Sequence, residues 1–181
     1  MHMEENSIAV LKENCSNLAE HTLPRWNELP DLPLYMDQVL GLIERYLGAY
    51  PGFDGRGLTA SMVNNYVKLG VMPPPVKKKY SRVHLGHLIA ICLLKSCLPI
   101  ASIQKLIAYE LEIASPEAVY DHFCDTFERT NRAAAEAALH ETESLNTLLS
   151  PLYHAALLAQ AEQALALKLF SAYFPPDEKS K

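Results

Sequence analysis

The sequence predicts a mostly α-helical chain, and three observations carry that prediction. Apolar residues recur in steps of three and four through most of the 181 residues. The runs open at Thr59, Ser81, Ser115-Pro116 and Ser150-Pro151, residue types that cap or begin helices. They close at glycines and prolines, which end helices. Hydrophobic content of 49% with 20% charged residues is that of an ordinary globular protein, which excludes a disordered chain. A chain of this length buries roughly 70% of its unfolded surface, so it needs no disulfide or metal to hold a core.

Taken in order, Ile8, Leu11, Cys15 and Leu18 form the first apolar stripe, with Ser7 as its N-cap. Pro24, Pro30 and Pro33 then impose an extended connector in which Trp26 is an anchor. A second helix is expected over Tyr35–Ala49, burying Met36, Val39, Leu40, Ile43, Tyr46 and Leu47. Gly48, Pro51, Gly52, Gly55 and Gly57 follow as a loop. Thr59 caps a third helix, Ala60–Leu69, which Gly70 closes. Pro73-Pro74-Pro75 cannot be helical, and Val76–Tyr80 reads as short, basic and extended. Ser81 caps a fourth helix to about Ser96, with Leu85, Leu88, Ile89, Cys92 and Leu93 inward. Leu98-Pro99 breaks it, and Ile100, Ile103, Leu106, Ile107 and Leu111 make a fifth.

The last third differs in character. Ser115-Pro116 opens a long helix whose stripe is Tyr120, Phe123, Phe127, Thr130, Ala134 and Ala137. Ser150-Pro151 opens another, to about Phe174. Alanine and leucine dominate 133–139 and 155–169. Small residues let helices approach closely, so this region reads either as a packing or dimerising appendage or as cover for its own core.

Charge is distributed unevenly along the chain. From Arg56 to Tyr109, 54 residues contain no Asp or Glu but carry eight cations, Arg56, Lys68, Lys77, Lys78, Lys79, Arg82, Lys95 and Lys105. The whole chain has net charge -5, so the remainder sums to -13. A basic middle between acidic ends is the footprint of a surface that meets a polyanion. Within the block, Ser61, Asn64, Asn65 and Lys68 share one helical face. Hydroxyl, amides and ammonium suit base edges and phosphates, and Asn can hold adenine with two hydrogen bonds. Met62, Val63, Tyr66 and Leu69 face inward. The helix start at Thr59 offers backbone N–H groups to a phosphate. Lys77, Lys78, Lys79 and Arg82 add sequence-independent phosphate contacts, with Tyr80 an anchor between them.

These features together resemble the winged helix-turn-helix of MerR-like bacterial transcription regulators. The resemblance rests on a helix with Tyr66, then Gly70, prolines, a basic wing, Tyr80-Ser81, a helix from about Val83, and an Ile-x-x-Leu-Ile helix. WNELPDLPLYMDQV, at Trp26–Val39, with TASMVNNYVK is similar to an uncharacterised bacterial family of MerR-like proteins. It implies a recognition helix at Ala60–Leu69, a wing at Pro74–Tyr80 and a first helix at Tyr35–Ala49. Asn64-Asn65-Tyr66 stands where such helices carry Arg and two aromatics, so Lys68 or the wing must supply the phosphate contact. The Ala49–Leu58 connection exceeds a normal turn of that motif.

The expected organisation is an N-terminal helix at 1–22, a winged helix-turn-helix domain at 23–112, and a C-terminal helical region at 113–181 for dimerising or sensing. The expected DNA-contacting residues are Thr59, Ser61, Asn64, Asn65, Lys68, Lys77, Lys78, Lys79, Tyr80 and Arg82. Their partner is double-stranded DNA, bound by a homodimer, with the C-terminal region as the place for an unknown effector. The runner-up readings are a degenerate winged helix that binds protein and an excisionase-like architectural role.

No enzyme is expected. The seven histidines are scattered, no glycine-rich loop carries Lys-Ser/Thr, and Asp121 and Asp125 read as a solvated face. His84 and His87 read as surface or core-edge residues. No cofactor or metal is expected, and the four cysteines read as reduced and buried. The acidic N-terminus is no signal peptide and the longest apolar run, 88–94, cannot span a bilayer. The chain is therefore expected to be soluble and cytoplasmic.

Overall fold

A computed structural model describes residues 5–50, 53, 57–145 and 149–175. Arg56, Gly52 and Gly55 lie outside the described residues, so one of the eight cations and most of the glycine loop have no structural account. The described residues are mostly helical: α1 Glu5–Glu20, α2 Met36–Leu47, α3 Ala60–Lys68, α4 Arg82–Leu94, α5 Ile100–Ile113, α6 Pro116–Leu145 and α7 Leu149–Tyr173. Among them, β-structure is confined to two isolated antiparallel bridges, Leu34 with Tyr80 and Val76 with Lys79. No helix among the described residues is long and apolar enough to cross a membrane.

The chain divides into two compact units, Leu23–Asp125 and 1–22 with 126–181. In the first, α4 is the centre, packed against α2 and α5, while α2 also packs on α3. Leu85, Leu88, Ile89 and Ile91 are fully buried, so three sides of α4 are inside. Gly86 lets α6 come close: a Cβ there would sit 3.1 Å from the Tyr120 ring. Val39, Ile43 and Leu47 on α2, Val63 on α3 and Ile103 on α5 complete the core. Met36, Leu40 and Tyr46 are only half-buried, on the flank of the predicted stripe.

Several helix starts follow local chemistry. Thr59 Oγ1 accepts the Met62 N–H at 3.3 Å, and Ser115 Oγ accepts that of Ala118 at 3.2 Å. α3 ends in a Schellman closure, with Gly70 N–H donating to Val67 and Val71 N–H to Tyr66. Gly70 takes φ +70°, the left-handed conformation that the closure requires. Other expectations need correction. α1 begins at Glu5, upstream of Ser7, so Ser7 is not its N-cap. α7 begins at Leu149 rather than at Ser150-Pro151. On α6 the buried line is Tyr120, Cys124, Asn131 and Ala135, while Thr130 and Ala134 are exposed.

The connector before α2 is more built than an extended strand. Trp26–Glu28 form a 3-10 turn. Its Trp26 N–H donates to Asp121 Oδ1 at 2.8 Å, and Arg25 pairs with Asp125 at 2.8 Å. Asp121 and Asp125, read from sequence as a solvated face, thus fasten the connector to the first turns of α6. Their spacing of one helical turn is what allows both to reach it. Cys15, Cys92 and Cys124 are buried and Cys97 is exposed, against the expectation that all four are buried. None of the four is in a disulfide.

Candidate nucleic-acid interface

α3 presents Ser61, Asn64, Asn65 and Lys68 on one exposed face, and its opposite face buries Val63 and Tyr66. The geometry follows from 3.6 residues per turn: the four polar positions fall within about 100° of arc. Tyr66 is 5% exposed, and burial raises its phenol above the ordinary value, so it belongs to the core. Leu69, expected inward, is instead 49% exposed because the helix has already ended at Lys68. Thr59 is exposed with its hydroxyl oxygen engaged by the Met62 N–H.

The basic segment after the prolines is a tight hairpin, not an extended strand. Val76 and Lys79 exchange both backbone hydrogen bonds, at 3.1 and 3.0 Å. Lys77 and Lys78 form the two-residue tip with φ of 51° and 62°. Two consecutive positive φ values define a type I′ turn, whose usual residues are Asn and Gly. Here both positions are lysines, both exposed. Non-glycine residues in this conformation carry a local cost of about 1–2 kcal/mol each.

The remaining predicted contacts are drawn into the scaffold. Lys79 is half-buried with its Nζ 5.0 Å over the Tyr35 ring. Tyr80 is buried, and its N–H and C=O pair with those of Leu34 at 2.8 Å, which ties the hairpin to the chain entering α2. Arg82 donates from Nε to the Leu29 carbonyl at 3.0 Å, approaches Asp31 at 3.5 Å and stacks 5.8 Å over Trp26. The exposed set is therefore Thr59 at the start of α3, Ser61, Asn64, Asn65 and Lys68 on α3, and Lys77 and Lys78 on the hairpin. Among the described residues no hydrogen bond or ion pair joins the two groups. Between them the chain is held by the Schellman closure and by buried Val71 and Met72.

Sequence reading missed His84, which is 5% exposed and so lies in the core rather than at its edge. Its Nδ1 accepts the Ser81 N–H at 2.9 Å, so the ring proton is on Nε2, which donates to the Pro74 carbonyl at 3.3 Å. The Tyr80 ring meets it edge-on at 5.4 Å. One imidazole thus joins the start of α4 to both sides of the hairpin. Burial is the main cause that lowers its pKa from 6.5, partly opposed by the carbonyl contacts. His87 is lowered too, again mainly by burial, while its Nδ1–H donates to Val83 at 2.8 Å. The available signal was the Ser81-x-x-His84 spacing, the reciprocal position of a helix cap.

A profile of the family described as Domain of unknown function (DUF1836) matches residues 24–123, more than half of the chain. The chain belongs to this family. No curated protein and no solved structure matches it. The DUF1836 segment coincides closely with the unit Leu23–Asp125. It contains the connector, α2 to α5, the hairpin and the opening turns of α6 that hold Asp121. The match provides no link to MerR-like regulators.

Proposed function

We propose that this chain is a sequence-specific DNA-binding transcription regulator of MerR-like, winged helix-turn-helix type, acting as a homodimer. The single observation behind this reading is the division of α3, with Val63 and Tyr66 inside and Ser61, Asn64, Asn65 and Lys68 outside. A helix held by one face, offering two adjacent amides and a cation on the other, suits a major groove. The hairpin acts as the wing, and Lys77 and Lys78 at its tip meet backbone phosphates. In this reading Lys79, Tyr80 and Arg82 position the wing rather than touch DNA.

Selection of bound duplexes from a random library, at low and physiological salt, tests the reading. The expected result is an enriched motif with two symmetric half-sites about one helical turn apart. Replacing Asn64 or Asn65 with Ala should then relax preference at one base position, by about 1–3 kcal/mol of discrimination. Salt-sensitive binding without a motif would point to an architectural role instead. A second reading, a protein-interaction module, is favoured by exposed Leu32, Tyr35 and Val76 along the hairpin and the chain paired with it. Absence of DNA binding even at low salt would leave that reading in place.

A further inference from the structure

The proline arm of the hairpin cannot hold itself in place. Pro73, Pro74 and Pro75 have no N–H, so they offer carbonyls alone and any hydrogen bond to them must come from a donor elsewhere. The second arm has its own anchor, since Tyr80 is buried and exchanges both backbone hydrogen bonds with Leu34. His84 supplies a donor for the first. Its Nε2–H reaches the Pro74 carbonyl at 3.3 Å, just ahead of the Lys77-Lys78 tip. The same ring is fixed at its other nitrogen by the Ser81 N–H at 2.9 Å, and the Tyr80 ring lies edge-on to it. A buried ring gripped on both sides sets the direction of the chain that it holds.

Only the neutral ring makes both bonds. Nδ1 has to be bare to accept the Ser81 N–H, so a second proton sets two N–H groups against each other. The Ser81 hydroxyl, also 2.9 Å from Nδ1, can turn to accept that proton, which draws the ring toward the hydroxyl and away from the backbone N–H. The Pro73 and Pro74 carbonyls favour the charged ring and burial opposes it, with burial the larger effect. His87, one turn along α4, adds repulsion when it too is charged. Arg82 is engaged by Leu29 and Asp31, and the buried Tyr80 phenol, raised from its ordinary value, stays neutral in acid. The acid-free segment from Arg56 to Tyr109 places no carboxylate of its own beside the ring.

We propose that His84 is a positioning residue for the hairpin: its neutral ring aims the Lys77-Lys78 tip, and acid releases that tip. The loss of phosphate contacts that follows rests on the DNA-binding reading above. The first measurement therefore needs no DNA. Hydrogen exchange on the full chain follows the Lys79 amide, which donates to Val76 across the hairpin, against the amide of buried Ile89. At pH 7.5, His84→Phe should cost the Lys79 amide about tenfold in protection, the worth of about one hydrogen bond, while Ile89 keeps its own and shows that the fold holds. His84→Gln should preserve both, because its amide oxygen and nitrogen accept and donate as the two ring nitrogens do. Between pH 7.5 and pH 5.0 the wild type should lose protection at Lys79 relative to Ile89. His84→Gln, which takes up no proton there, should not. A Phe variant with full protection would overturn the proposal, as would a Gln variant that loses protection in acid as the wild type does. Affinity for a labelled random-sequence duplex at low salt is the second readout. Histidines that gain charge near DNA tighten binding as pH falls. The wild type should instead bind several-fold more weakly at pH 5.0, and His84→Gln should not. A wild type that binds more tightly in acid would overturn the aiming of the tip at DNA. Protection that behaves as stated, without binding of the duplex by either protein, would sink the DNA reading and leave the hold of His84 on the hairpin standing.

Discussion

Lys77 and Lys78 occupy the two places where a two-residue hairpin most favours Asn and Gly. Their retention there trades local backbone energy for a doubly charged tip. Replacing them as Lys77→Asn with Lys78→Gly keeps the turn and removes both charges. Stability to urea should rise by about 1 kcal/mol, while DNA affinity falls on all sequences alike. The slope of log affinity against log salt should become shallower by about two per protomer, so by about four for the dimer on its operator. A loss of stability would mean that the left-handed tip costs nothing, and an unchanged slope would remove the tip from the interface. At this scale the exposed face of α3 was legible, because helical periodicity places Asn64 and Lys68 without any knowledge of the fold. The tip was not legible, since left-handed lysines carry no composition signal. Nor was the engagement of Arg82, whose partners Leu29 and Asp31 are about fifty residues earlier.

Among elements, two glycines on neighbouring helices give opposite expectations. A Cβ added at Gly86 on α4 would sit 3.1 Å from the Tyr120 ring of α6, so Gly86→Ala requires that ring to give by a few tenths of an ångström. A loss of about 1–3 kcal/mol is expected, the range for overpacking. Gly41 on α2 meets nothing within 4 Å, and Gly41→Ala should gain up to about 1 kcal/mol from helix propensity alone. Urea unfolding of both variants checks the pair, and destabilisation of both would show that Gly41 has an unseen neighbour. Helix order and most starts were legible because caps such as Thr59 and Ser115 act locally. The inward side of α6 was not. Asn131 is buried on it, and a polar residue on the buried side, with alanines on every side, blurs the period that identifies a face.

Across the whole molecule, three histidines respond to acid in the same direction. His21 in one unit, and His84 and His87 in the other, are all lowered from 6.5, each mainly by burial. A lowered pKa means that the folded state favours the neutral ring. Their stabilising contribution is complete above 6.5 and is lost as pH falls below that toward the folded values. His84 adds a specific reason, because a proton on Nδ1 would oppose the Ser81 N–H that it now accepts. The urea midpoint should therefore drop between pH 7.5 and pH 5.5. A midpoint that holds or rises would show that the rings charge freely while folded. The division into units follows contacts that a linear reading does not pair: His21 meets Phe127 at 5.9 Å across more than one hundred residues.

That division also sets an order of events during synthesis. The unit Leu23–Asp125 is one unbroken segment, so it can close as soon as its last residues leave the ribosome. α1 belongs to the other unit, whose remaining residues begin at Thr126. At about 5–20 residues per second, α1 waits several seconds with Ile8, Leu11 and Cys15 uncovered. α1 precedes the segment it packs with by more than one hundred residues, and until that segment is made its apolar stripe stays open to a chaperone.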